Sequence, residues 1–352
     1  MKLRKFYAVL AAAAMMLTAT ACASSTSSTT DSSSAADSSV ADSSAPAEST
    51  DGAEDNTSGD KTYTIGICQL VQHEALDAAT QGFKDALTEK LGDNVKFNEQ
   101  NANGESTNCT TICTGFVAEG VDLILANATG ALQAAGAATS TIPILGTSVT
   151  DYATALSMDN WTGATGTNIS GTSDLAPIDQ QEAMLKEMFP DVKQVGIVYC
   201  SAEANSKYQA TLFEEALTAD GVAFKEYSAA DTNEISTVVS TAVTECDVLY
   251  IPTDNTMASS TETVKNIVVP AGIPVIAGEE GICKGCGVAT LSISYYDLGY
   301  TTGEMAYEIL VDGADVSTMD VRFAPNVVKK YNADICAELG ITAPEGYEAI
   351  AE

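Results

Sequence analysis

From Lys61 onward the chain alternates short apolar runs with longer amphipathic ones. "TYTIGICQL" reads as a strand. "HEALDAATQGFKDALTEKLG" follows with Leu76, Ala79, Phe83 and Leu87 at three- and four-residue spacing, the apolar face of a helix that Gly92 ends. "VKFNEQ", "VDLILAN" and "IPILG" continue as strands, with "STNCTTICTGFVAEG" and "GALQAAGAATS" as helices between them. The rhythm then restarts. "APIDQQEAMLKEMFP" is a helix, and "KQVGIVYC", "VAFKEYSA", "CDVLYIPT" and "IPVIAG" are strands separated by further helices. One long helix, "YDLGYTTGEMAYEILVDG", and a short strand near "VRFAP" close the chain. Such alternation predicts parallel sheets covered by helices. Both halves run in the same order, so the expected fold is α/β, with two doubly wound parallel-sheet lobes joined by a hinge. Lobe one is expected over 61–165 with a return segment, 295–352, and lobe two over 175–290. The chain is expected to pass between lobes near 164–173 and 292–296.

In open α/β sheets ligands bind beyond the carboxyl ends of the strands, so candidate site residues are sought there. The first strand ends on Gln69, Gln72 and His73, the third precedes Thr129, and the fourth ends on Ser148, Thr150 and Asp151. In the second half the corresponding residues are Asn205 and Ser206, Asp254 and Asn255, and Glu279. Each also precedes a helix, where Asp, Asn, Ser and Thr serve as N-caps. Cap and ligand contact both stand for each residue alone; together they place hydrogen-bonding groups of both lobes on one cleft.

These positions also carry a family resemblance. From Thr64 to about Pro325 the chain resembles the periplasmic solute-binding components of ABC transporters, type I fold. More narrowly it is similar to the subgroup that binds tryptophan or other aromatic amino acids. "QLVQHEALD" matches that subgroup's first-loop motif, Q-x-V-E-H-x-A-L-D, with Gln72 in place of the usual Glu. "NISGTSDLAP", "AEANS", "DVLYIPTDNTMAS" and "GEEGICKGCGVATLSISYYDLGYTTG" follow in the same order. The resemblance implies an extracytoplasmic component of an importer, working with ABC permease subunits and expected to act as a monomer. A ligand-sensing receptor ectodomain shares the fold and remains an alternative.

An α-amino acid needs donors for its carboxylate, and Arg322 is the sole Arg after the first 22 residues. Hydroxyls of Thr129, Ser148 and Thr150 and helix N-terminal amides are therefore the expected donors. Asp254 is the leading partner for the ammonium, with Asp151 and Glu279 next. Sugar sites favour Arg and aromatic platforms, and the chain has one Trp. An amino acid, aromatic or branched, is the expected ligand; a nucleoside, a peptide or a sugar stays open.

The termini place this domain. Residues 1–22 carry Lys2, Arg4 and Lys5, then an apolar run, then small residues before Cys22. That is the pattern of an export signal, and "LTATAC" resembles the lipobox of bacterial lipoproteins, in which the Cys is acylated. Residues 23–60, dominated by Ser, Thr and acidic side chains, read as a disordered tether. No later apolar run approaches the roughly 20 residues that span a bilayer. The expected location is the outer face of the bacterial cytoplasmic membrane, through a lipid on Cys22.

A net charge of −32 argues against nucleic acid as a partner, since counterion release needs clustered Lys and Arg. No cofactor motif, phosphate loop or G-x-S-x-G element occurs, and His73 is the lone His, so an enzyme is not expected. Cys68, Cys200 and Cys246 lie in or beside apolar strands, as small hydrophobes do. Cys109-x3-Cys113 and Cys283-x2-Cys286 have spacings of a metal site or a local disulfide; a zinc site wants four ligands and the lone His73 lies elsewhere in sequence, so free thiols are expected and no metal site is assigned.

Overall fold

The structure is a computed structural model that describes residues 61–351 apart from 160 and 325. The export signal, Cys22 and the tether lie outside the described residues. Among the described residues no helix is long and apolar enough to cross a membrane.

Strands and helices alternate from the start: β1 (Tyr63–Gln69), α1 (Glu74–Leu91), β2 (Val95–Asn101), α2 (Ser106–Glu119), β3 (Leu123–Asn127), α3 (Thr129–Ala138), β4 (Ile144–Val149), α4 (Tyr152–Leu156) and β5 (Ile169–Ser173). The second series is α5 (Ile178–Met188), β6 (Gln194–Cys200), α6 (Ala204–Asp220), β7 (Ala223–Ala229), α7 (Ile235–Ala242), β8 (Val248–Ile251), α8 (Asn255–Ala258), α9 (Thr261–Ala271), β9 (Val275–Ala277), α10 (Glu280–Cys286) and β10 (Ala289–Ser292). The chain closes with α11 (Tyr295–Leu310), β11 (Arg322–Phe323), β12 (Val328–Tyr331), α12 (Ala333–Leu339) and β13 (Glu348–Ala349).

Two lobes result. The first sheet has the order β11-β5-β4-β3-β1-β2, and every pairing is parallel. The second has the order β13-β12-β10-β9-β8-β6-β7 and is mixed, because β12 runs antiparallel to β10. The central strands of each sheet are buried on both faces. In lobe one Phe116, Leu132 and Tyr152 fill one side, and Phe83, Leu87 and Met305 the other. This is why its strands read as continuous apolar runs rather than alternating ones.

The closing segment divides between the lobes, which the expected boundaries do not anticipate. Helix α11 returns to lobe one because it can approach α1 unusually closely. A Cβ added at Gly299 would lie 1.9 Å from the Ala79 carbonyl oxygen, and one at Gly82 2.1 Å from that of Tyr296. Strand β11 then pairs with β5, but β12 and β13 extend the second sheet. Residues 328–349 thus lie with lobe two, and β5 carries lobe one past 165. The chain crosses after β5, after β10 and after β11, one crossing more than the sequence reading names.

Candidate functional site

The carboxyl ends of both sheets face a cleft holding a cavity of about 350 Å³. Its walls come from the segments after β1 (Leu70, Val71), β2 (Gly104–Thr107) and β3 (Thr129, Gly130) in one lobe. The segments after β6 (Ala202–Asn205), β7 (Ala230–Thr232) and β8 (Asn255, Thr256) form the other lobe's share. The volume lies at the small end of ligand pockets. Glu105, Glu203 and Asp231 are among the lining residues, and no Lys, Arg or His is. The wall is therefore negatively charged.

Lobe one contributes donors. Helix α3 begins directly at the end of β3, and its N-cap, Ala128, supplies no side-chain cap. The first-turn N–H groups therefore have no partner within the helix. The backbone is strained on both sides of this point: Ala128 has φ 90° and Ser148 φ 54°, positions non-glycine residues seldom take. Asn127 pairs with Thr147 across β3 and β4, so Ser148 stands beside the start of α3. Its hydroxyl is buried and has no hydrogen-bond partner. Strain and an unpaired polar group at one strand end are features of sites built for a ligand.

Lobe two contributes a fixed carboxylate. Glu203 accepts from the Asn255 amide side chain at 2.7 Å, from the backbone N–H of Thr256 at 2.8 Å and from its hydroxyl at 2.7 Å. Asn205 adds a 3.1 Å bond to the same carboxylate. Such a network holds the negative charge at the cavity wall with little freedom to turn away. His73 reaches across the cleft, its Nε2 standing 3.1 Å from Asn255 Oδ1. Burial lowers the His73 pKa, which favours the neutral ring at this contact. Lys284 and Glu74 form a second, exposed pair between the lobes at 3.2 Å.

The residues expected from sequence separate into two groups. Thr129, Asn205 and Asn255 line the cavity, and His73 bridges the cleft beside it. Ser148 stands at the end of β4, buried and unpaired but not among the cavity-lining residues, and most of the others serve the frame. Asp254 is buried, with one oxygen accepting from Met257 N at 2.8 Å and the other from Cys200 N at 2.6 Å. It caps α8 and ties that helix to β6, and neither oxygen turns to the cavity. Asp151 caps α4, and Glu279 caps α10 through the N–H groups of Gly281 and Ile282. Gln69 donates to Asp77 at 2.6 Å and accepts from Thr80 at 2.7 Å, joining β1 to α1. Thr150 donates to Asp174 at 2.9 Å, which also accepts from Tyr295 at 2.9 Å where the chain crosses between lobes. Ser206 is fully buried behind Asn205, and Gln72 is exposed.

Glu105, Gly130, Glu203 and Asp231 are absent from that expectation. Glu105 and Asp231 follow β2 and β7, strand ends whose residues "NANGES" and "AADTNE" are as polar as the ones chosen. The same strand-end rule, applied to every strand, reaches them. A second cavity, of about 400 Å³, lies at the crossings and is lined by Ala78, Glu279, Glu280, Ser292, Tyr295 and Lys330 among others. Its one lining cation, Lys330, is paired with Glu280 at 2.7 Å.

Residues 64–352 match the family model described as ABC transporter substrate binding protein. The chain is 37% identical to a tyrosine-binding protein of Clostridioides difficile (strain R20291) over 75% of its own length and 78% of that protein. Among solved structures it superposes on the ABC domain in complex with L-Trp from Streptococcus pneumoniae with a TM-score of 0.78. Identity there is 31%, over 82% of this chain and 100% of that one. The ligand-free, open structure of a substrate-binding protein with adhesive properties from Clostridium difficile is more similar in sequence, at 38% identity over 82% of this chain and 99% of that one. It superposes less well, with a TM-score of 0.64. The chain belongs to the ABC transporter substrate-binding family.

Proposed function

We propose that this member of the family captures a free aromatic amino acid between its lobes and presents it to an ABC importer at the outer face of the cell. The observation that carries the reading is the polarity of the cleft. Unpartnered N–H groups at the start of α3 lie on one side, and the fixed Glu203 carboxylate with Glu105 and Asp231 on the other. A zwitterion matches this: its carboxylate meets the start of α3, and its ammonium the acidic wall. Tyrosine and tryptophan in the names of the relatives support an aromatic side chain. The residues offer binding rather than turnover, and closing the lobes about the three crossings would exclude water from the ligand.

Isothermal titration of ligand-stripped protein tests this. L-tyrosine or L-tryptophan is expected to bind at least tenfold more tightly than leucine. Methyl esters and N-acetyl derivatives of the same amino acids are expected to lose a further tenfold or more, because each removes one charge that the cleft is built to meet. Equal affinity for the ester would sink the carboxylate assignment, and preferential binding of a sugar or nucleoside the ligand class.

Anchoring is part of the same proposal. Acylation at Cys22 would hold the first residue at the membrane while 23–60 spans the distance to the domain. Cys22→Ala is expected to move the exported protein from the membrane fraction to the soluble one. Unchanged membrane association would remove the anchor and leave the ligand reading standing.

A further inference from the structure

His73 and Glu74, consecutive residues at the start of α1, each bond to the opposite lobe. The Glu74 bond to Lys284 is exposed, and Glu74 borders the cavity at the crossings. The His73 bond differs. His73 is the N-cap residue of α1, a position whose side chain commonly serves the first turn of its own helix, yet its ring makes no such bond. It is half-buried and turned across the cleft, with Nε2 3.1 Å from Oδ1 of Asn255, 182 positions away in the chain.

The far side of this bond decides which atom donates. Glu203 accepts from the backbone N–H of Asn255 at 3.1 Å and of Thr256 at 2.8 Å, and a carboxylate only accepts. The Asn255 side-chain atom facing it at 2.7 Å is therefore the amide nitrogen. Asn255 Oδ1 is left facing His73, so His73 Nε2 carries the proton. Donors thus run in one direction, from His73 of lobe one through Asn255 to Glu203 of lobe two. Asn255 and Glu203 line the cleft cavity, whereas His73 does not.

We propose that His73 is the latch of the cleft, a positioning residue that holds the lobes together through Asn255 and so slows release of the ligand. Parting the lobes breaks the bond between His73 and Asn255, while Asn255 keeps its bonds to Glu203 inside lobe two. The latch therefore favours the closed arrangement alone. An ammonium group on the acidic wall that steadies Glu203 also steadies Asn255 as an acceptor, which couples occupancy of the cavity to closure. The inference rests on the reading that the cleft holds the ligand between the lobes, and not on which amino acid it takes.

Stopped-flow mixing with L-tyrosine tests it. His73→Ala is expected to release L-tyrosine roughly fivefold faster, the worth of one hydrogen bond, with the association rate unchanged. His73→Gln, whose side-chain amide nitrogen can meet the same acceptor, is expected to recover most of the difference. In an Asn255→Ala background His73→Ala should have no further effect on release. Equal release from parent and His73→Ala would overturn the latch, as would a Gln variant as fast as the Ala variant. A second measurement needs no ligand. His73 is the only His of the chain, so protein made without a polyhistidine tag gives one imidazole spectrum. Its Nε2 proton is expected as a slowly exchanging NMR signal that is lost in Asn255→Ala. A parent protein that fails to bind L-tyrosine would remove the ligand assignment, and the latch would then be decided by this signal alone. Its persistence unchanged in Asn255→Ala would overturn the latch whatever the ligand.

Discussion

Asp254→Ala is expected to melt roughly 10 °C below the parent protein and to bind the ligand within a few-fold of the parent affinity. The side chain is 1% exposed, and its two oxygens serve two elements, the first turn of α8 and the last residue of β6. Alanine leaves the N–H groups of Met257 and Cys200 unpaired and out of reach of water. Each such group costs about 1–3 kcal/mol. A cap alone accounts for about 1 kcal/mol of this; the tie to Cys200 supplies the rest. The deficit should depend on pH. Burial, and then the nearby Glu203 charge, push the Asp254 carboxyl up to about 8 in the folded protein. A raised folded value means that its contribution is complete below the unfolded value of about 3.9 and fades as pH rises through about 8. The gap between parent and variant melting temperatures should therefore be wider at pH 6 than at pH 9. A variant that melts like the parent but binds thirtyfold more weakly would return Asp254 to the ligand.

The same residue shows how far the sequence can be read. An Asp at a strand end before a helix is a cap or a ligand contact, and nothing in "PTDNT" separates the two. The decision lies with Cys200, 54 positions away, whose N–H occupies the second oxygen. Alternating apolar runs disclosed the two lobes because buried parallel strands are apolar on both faces. Strand β5, "ISGTS", stayed hidden for the opposite reason. It is fully buried yet polar, its hydroxyls satisfied by partners distant in sequence: Ser170 donates to Met319 O at 2.9 Å, and Thr172 stands 2.8 Å from Thr302 Oγ1. Strands β12 and β13 are short and only partly buried or exposed, so burial left no pattern in them. In the candidate site, local patterning located the strand ends. Glu203 was passed over because its role comes from residues of α8 that converge on it only in the fold.

Gly130→Phe is expected to weaken ligand binding by at least on the order of 100-fold, or about 2.7 kcal/mol, with the fold intact. Gly130 lines the cleft cavity in the first turn of α3, and its φ is not in the left-handed region. A Cβ there would meet only the methyl groups of Leu70, at 3.5 and 3.8 Å, which is ordinary contact. Replacing Gly also favours the helix. The benzyl group would enter a cavity of about 350 Å³ and occupy the space proposed for the amino acid. The matched control is Ala78→Phe, on the half-buried face of α1 that lines the cavity of about 400 Å³ at the crossings. That variant is expected to bind nearly as the parent does. Titration of both against the same amino acid separates the two cavities. Full affinity in Gly130→Phe with loss in Ala78→Phe would move the ligand to the crossings, beside Glu279 and Glu280. Loss in both would mean that binding depends on how the lobes close rather than on which cavity is filled.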